Sequence, residues 1–376
     1  MDLKPLPQHV QIAFADLVAK AFDAEFDDAY PENGRFVKRE RKGRDYWYYR
    51  GYARQPDGSA GKEVQKYVGP VSDPEITARV ERFQHIHTSY RARREIASSL
   101  RASGLPAPSP LEGNVIAALA RGGLFQMRAV LVGSLAFQTY PGLLGTTLKD
   151  ALYRTEDIDI AQDYGVAIGI GEDDRMDDVG ELLRGVEPSF KPVPHLGRNP
   201  APAAFQTATG FKVEFLTTNR GSPEIEADVS PLPALGVAGT PLRFLDFLIR
   251  SPCRSVLLHD AGVAVMVPTP ERYAVHKLIV SRRRHQTSQS QEKARKDVAQ
   301  ASAIIAAKHT LRMRQDLGFA WMEAFERGDT WRQTLEEGAL LLDPAARGAL
   351  ENGIRQAAEL ERVKDWKALV PWRTGQ

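Results

Sequence analysis

Two aspartates alternate with two isoleucines at residues 157–160, in the run EDIDIAQ. Successive side chains of a strand point to opposite faces, so Ile158 and Ile160 turn to a core while Asp157 and Asp159 stand side by side. Two adjacent carboxylates repel, and the pairing is unfavourable unless a cation or a proton lies between them. The chain therefore needs a sheet with one apolar face and a reason to hold two acids on the other.

A third acid extends the pattern. In FKVEFLT, Phe211, Val213 and Phe215 take alternate positions, and Glu214 shares a face with Lys212 and Leu216. If this strand lies beside the first, three carboxylates converge. Hard oxygen ligands on a rigid strand suit Mg²⁺, with Mn²⁺ as the alternative ion, and such a cluster can hold two ions that clamp both oxygens of a displacement at phosphorus.

Upstream, RAVLVG predicts a strand that runs into Gly133-Ser134 and then a helix, SLAFQTY. Glycine lets the backbone approach a ligand, and a helix beginning at Ser134 offers unpaired N–H groups to an anion. The serine hydroxyl serves as a cap or as a donor to phosphate. A phosphate cradle beside a metal-binding acid pair is suited to a nucleoside triphosphate.

Gly133-Ser134, Asp157-Ile158-Asp159 and Glu214, in that order, resemble the signature of the DNA polymerase β-like nucleotidyltransferase superfamily. The longer pattern VGSLAFQTYPGLLG…EDIDIA, with PERYAVHKLIVSRRR…KARKDVAQA, is similar to a bacterial branch of nucleotidyltransferase-like proteins that includes relatives of abortive-infection toxins. With YWYYR…QKYVGP, the resemblance spans roughly residues 44–305. It implies a small mixed sheet flanked by helices, with Asp157, Asp159 and Glu214 as metal ligands and catalytic acids. It also implies triphosphate binding by Gly133 and Ser134, and transfer of a nucleotidyl group to a hydroxyl with loss of pyrophosphate. A lysine of the later helices then contacts the phosphates, for which Lys277 and Lys296 are the candidates; a point charge on a flexible stem suits that role. Lys277 could equally snorkel from an amphipathic helix. One departure from the family pattern is the longer interval Leu135–Glu156, where PGLLGTTLKDALYR must loop out or extend the helix.

The chain has 376 residues, long enough for two or three domains. We expect an α+β protein in three parts: residues 1–105, a helical region with a basic, aromatic β-hairpin; 106–268, the nucleotidyltransferase-type core; and 269–376, a C-terminal helical bundle. Pro-rich GLPAPSP marks the first boundary, and a change to helical periodicity at Pro270 marks the second. Within the core, RFLDFLI, SVLLHD and VAVMVP read as further strands, the last two joined as a hairpin at Asp260-Ala261-Gly262. Residues 7–29 and 74–103 read as helices, and EDDRMDDVGELLRG as the acidic start of another.

Net charge is +2, so any nucleic-acid contact must be local. Residues 35–54 hold eight Lys or Arg against two acids, interleaved with Phe36, Tyr46, Trp47, Tyr48, Tyr49 and Tyr52. Cations neutralise phosphates and aromatic faces stack on bases, which makes this segment a candidate nucleic-acid contact. The alternative, slightly favoured, is a hairpin whose alternate aromatics pack on neighbouring helices. His85 and His87 are two apart on a helix and face different ways, so no zinc site is expected. GIGED at 169–173 lacks the third glycine of a nucleotide loop. Cys253 is the only cysteine and no stretch approaches the about 18 apolar residues of a membrane span, so a cytoplasmic protein is expected.

The function these features predict is Mg²⁺-dependent transfer of a nucleotide from a nucleoside triphosphate to RNA, protein or a small molecule, with a toxin or defence role as its biological form. The alternative is a catalytically silent nucleotide- or nucleic-acid-binding protein with the same fold.

Overall fold

The computed structural model describes residues 3–22, 34–41, 44–53, 62–148, 153, 157–169, 176–195, 200–219, 228–283, 288–370 and 372. Helix α1 (Gln8–Phe22) is followed by strands β1 (Arg35–Arg41), β2 (Arg44–Ala53) and β3 (Lys62–Pro70), then by the long helix α2 (Pro74–Ala102) and α3 (Pro110–Arg121). Strand β4 (Val130–Val132) leads into α4 (Gly133–Leu144), and β5 (Asp157–Gln162) into α5 (Tyr164–Gly169) and α6 (Val179–Val186). Next come β6 (Lys191–Pro192), β7 (Ala204–Gln206), β8 (Lys212–Thr218), β9 (Ser230–Leu232), β10 (Val237–Leu242) and α7 (Leu245–Ile249). The hairpin β11 (Cys253–Leu257) and β12 (Val263–Val267) precedes α8 (Pro270–Arg283), α9 (Ser288–Thr310), α10 (Arg314–Phe325), α11 (Asp329–Leu340) and α12 (Pro344–Leu360). The architecture is α+β, as the patterning predicts.

The central sheet is mixed and seven-stranded, in the order β4-β5-β8-β10-β9, with β7 on the first half of β8 and β6 beyond it. β5, β8 and β10 are mutually parallel, while β4 runs antiparallel to β5. Ile158, Ile160, Val213 and Phe215 turn to the core face and are fully buried. The opposite face carries the acids.

α4 follows β4 directly and continues through Pro141 to Leu144, where Gly145 closes it in the left-handed conformation. The longer interval before the acids is thus partly taken up by extending the helix. Past its end the chain is held from the amino terminus, where Pro5 bridges Thr146 and the Thr147 N–H donates to the Lys4 carbonyl at 2.9 Å. Residues 149–152 and 154–156 lie outside the described part. Phe137, Tyr140 and Tyr273 pack edge to face or tilted, joining α4 to α8. Aromatic pairs of this kind add about 0.5–1.5 kcal/mol beyond area burial.

The three-stranded β1-β2-β3 sheet explains the aromatic segment. Phe36 lies opposite Tyr49 and Lys38 opposite Trp47, so these share one face. Phe36, Trp47 and Tyr49 are buried with Val80 of α2, and Trp47 Nε1 donates to Thr77 Oγ1 at 3.1 Å. Those rings are committed to packing, in line with a hairpin whose alternate aromatics face a neighbouring helix. Arg35 and Arg39 remain exposed on the other face. The side chains of Tyr52, His85 and His87 lie outside the described residues, as do residues 170–175 of the glycine-rich run.

One sequence expectation is overturned. RFLDFLI does not form a strand: Leu245–Ile249 is a short helix, after Phe244 turns the chain at φ +68°. The strand lies just before it, in VAGTPL, whose Gly and Pro obscured it. Short apolar runs do not distinguish strand from buried helix by periodicity alone.

Candidate active site

β5 is placed by its two neighbours. β4, buried throughout, sets Val132 opposite Asp159, and β8 sets Glu214 opposite Asp159 and Lys212 opposite Asp157. The alternation that buries Ile158 and Val213 leaves the acids on one face. Carboxylate oxygens of Asp157, Asp159 and Glu214 all lie within 4.8 Å of one another. Two oxygens on one Mg²⁺ stand at most about 4.2 Å apart, twice the roughly 2.1 Å bond, so small side-chain adjustments bring these donors onto an ion.

The electrostatics agree with that fit. Burial, then the charges of Asp157 and Glu214, push the Asp159 carboxyl up to about 7, against the opposing pull of Lys277 and Lys293. A divalent cation would relieve both repulsions. The Lys212 ammonium pairs with Glu214, yet Glu214 still belongs to the cluster.

The Gly133 backbone lies at φ +67°, and a Cβ built there would stand 2.3 Å from Asp159 Oδ2. The turn and the acid strand are in contact only because residue 133 has no side chain. α4 starts without a side-chain cap, its N-cap being Val132, so Ser134 is not the cap. Instead Ser134 Oγ accepts from Lys296 Nζ at 2.8 Å. The buried Tyr273 hydroxyl donates to the Gly133 carbonyl at 3.0 Å and meets the Gln300 side-chain oxygen at the same distance.

The cationic wall comes from α9. Lys293, Lys296, Asp297 and Gln300 follow a three- and four-residue spacing along one helical face. Lys293 Nζ is 3.9 Å from Asp157 Oδ2. Burial, then the nearby Lys277 charge, hold the Lys296 ammonium below its ordinary value. Lys277 itself is bound to the buried Asp297 at 2.6 Å and lies 5.1 Å from the centre of the Tyr273 ring. Of the sequence candidates, Gly133, Ser134, Asp157, Asp159, Glu214 and Lys296 therefore meet in one place, and Lys277 stands behind them, tied to Asp297. Lys293, Tyr273 and Gln300 were not anticipated. The helical spacing from Lys293 to Gln300 was the available signal for two of them.

A family model described as nucleotidyltransferase matches residues 111–326, more than half of the chain. The match runs from α3 to the end of α10, and so includes the Gly-Ser turn, the three acids and the lysines of α8 and α9. No curated protein matches the chain. A crystal structure titled an antigenic nucleotidyltransferase-like protein from Paracoccidioides brasiliensis is 14% identical, covering 62% of this chain and 95% of that one. Its TM-score of 0.29 is too low to support an argument about this chain. With the turn, the acids and the lysines all inside the matched segment, the chain belongs to the nucleotidyltransferase family.

Proposed function

We propose that this chain is an Mg²⁺-dependent enzyme that moves a nucleoside monophosphate from a nucleoside triphosphate to a hydroxyl acceptor. The observation that carries this reading is the meeting of three carboxylates within 4.8 Å, directly against an uncapped helix start. Asp157, Asp159 and Glu214 hold the metal, with Mn²⁺ as a substitute. When bound, the metal supplies charge at the oxygens of the reacting phosphate.

The chain's own groups do the rest. Backbone N–H groups at the start of α4 and the Ser134 hydroxyl bind the triphosphate. Lys296, already on Ser134, and Lys293 offset its charge, while Lys277 adds its field from behind. Tyr273 holds the Gly133 carbonyl and so fixes the turn. The acceptor oxygen forms a bond to the α-phosphorus as the bond to the bridging oxygen breaks and pyrophosphate leaves. Glu214 takes the acceptor proton.

Acceptors of the right chemistry are an RNA end, a protein hydroxyl or a small molecule. A cytoplasmic toxin or defence component is the biological form of the reading, resting on the sequence resemblance. A catalytically silent binding protein would need no such acid cluster, and the presence of all three acids favours the enzyme.

The test is incubation with each α-labelled nucleoside triphosphate, Mg²⁺ and a cell extract, following label uptake and pyrophosphate release. Asp157→Ala and Asp159→Ala are expected to lower transfer about a hundred- to a thousandfold or more, the lower figures being the range for losing one group that stabilises transition-state charge. Undiminished transfer in either variant removes the mechanism.

A further inference from the structure

The sheet order β4-β5-β8-β10 carries the chain away from the Gly-Ser turn, past the acids, to a second cationic feature. β10 ends at Leu242, and Arg243 and Phe244 follow. Phe244 is 4% exposed and its backbone is left-handed at φ +68°. That conformation costs a residue with a side chain about 1–2 kcal/mol, and strain of this kind concentrates at functional positions. The guanidinium groups of Arg243 and Arg283 each lie 5.3 Å from the centre of this one ring. Trp331 holds the ring edge to face at 4.5 Å.

Other described arginines of this region are matched with acids. Arg272 and Arg327 bind Glu323, Arg327 also binds Asp246, and Arg282 binds Glu337. Arg243 and Arg283, by contrast, have no carboxylate partner among the described residues. Burial, then the Arg243 charge beside it, hold the Arg283 guanidinium below its ordinary value. Two like charges are thus gathered on one ring with no acid paired to them among the described residues, and a bound anion would relieve their repulsion. Planar guanidinium forks match phosphate geometry.

The distance from the acids bears on the length of the ligand. Thr240 is level with Leu216, two residues beyond Glu214, and Arg243 lies three residues further on. At ~3.3 Å per residue, the four strand steps from Glu214 to Leu242 are about 13 Å along the strand direction, and Arg243 follows in the turn. On α8, Arg283 is six residues beyond Lys277, about 9 Å at 1.5 Å per residue. A small acceptor cannot span that interval; a strand of a few nucleotides can. Between the two points the same sheet face offers Leu216, exposed Thr240 and Leu242. None is charged, and Leu242 is 41% exposed, an apolar surface against which a base or sugar can lie.

We propose that Arg243 and Arg283 form a phosphate-binding subsite for a single-stranded nucleic-acid acceptor whose end reaches the Asp157–Asp159–Glu214 cluster. This rests on the nucleotidyltransferase reading of the acids, but its test does not require turnover. The full chain is titrated into a labelled single-stranded RNA oligonucleotide, and into DNA of the same sequence, without nucleoside triphosphate and over a range of salt. The Arg243→Gln/Arg283→Gln variant is expected to weaken binding about tenfold or more. The slope of log affinity against log salt should flatten by about 1.4, two phosphates at roughly 0.7 each. Triphosphate affinity, measured by calorimetry, stays as in wild type.

Arg243→Gln alone gives half the change in slope and is the variant used if the double one melts early. Equal binding by wild type and variant overturns the subsite. So does a variant that loses the triphosphate but keeps the oligonucleotide, since the phosphate recognised is then the donor's. A wild-type protein that binds a phosphoserine peptide and no oligonucleotide also overturns it. Failure of the enzyme reading has a different signature: oligonucleotide binding that depends on the arginines, with no label transferred.

Discussion

Adding one methyl group at residue 133 would strike the carboxylate of Asp159. The Cβ would lie 2.3 Å from Oδ2, and the φ of +67° already disfavours any side chain. Gly133→Ala is therefore expected to lower stability by about 1–3 kcal/mol and to abolish the thermal shift produced by Mg²⁺. Both are read in one melting experiment with and without the ion. A variant that melts and binds Mg²⁺ like wild type would mean that the turn and the acid strand do not touch. At this scale much was legible. Asp157, Asp159 and Glu214 could be placed on one face because a strand has a period of two and every alternate residue was apolar. The partners of the lysines could not. Lys277 binds Asp297 and Lys296 binds Ser134, contacts across 20 and 162 residues that depend on how α8, α9 and the sheet pack.

Among the elements, α10 and α12 approach so closely that glycine is required at their crossing. A Cβ on Gly318 would stand 2.2 Å from the Gly353 carbonyl oxygen, and one on Gly353 would stand 2.5 Å from the Arg314 carbonyl oxygen. Backbone cannot rotate aside as a side chain does. Gly318→Ala and Gly353→Ala should each destabilise the protein by about 1–3 kcal/mol, the usual range for overpacking. Gly348, also within α12, faces open space. Gly348→Ala should stabilise by about 0.5–1 kcal/mol through helix propensity. Urea denaturation of the three variants checks this; a destabilised Gly348→Ala would show that the helix face is not open there. Helical periodicity exposed these helices in the sequence, because each buries one stripe of its surface. It did not reveal α7, five residues long, nor β9 and β10, where Pro and Gly break the apolar pattern. Such short elements are decided by their neighbours: β10 exists because β8 offers it an open edge.

In the whole molecule, stability and the acid site pull in opposite directions. Three carboxylates share one face, and the charge of Asp159 is disfavoured by burial and by both neighbours, with only lysines opposing. Without metal, the fold carries that repulsion; with metal, it becomes attraction, and binding to the folded state adds stability as RT ln(1 + [L]/Kd). Asp159→Asn removes one charge while preserving shape. In the presence of a chelator the variant should melt above wild type, being more stable by on the order of 1–2 kcal/mol after solvent screening. Addition of Mg²⁺ should raise the melting temperature of wild type and leave the variant nearly unmoved, so that the order of the two reverses as the ion is titrated. A variant that melts below wild type in chelator would mean that the lysines of α8 and α9 already neutralise the acids, leaving no unbalanced charge to draw in a cation.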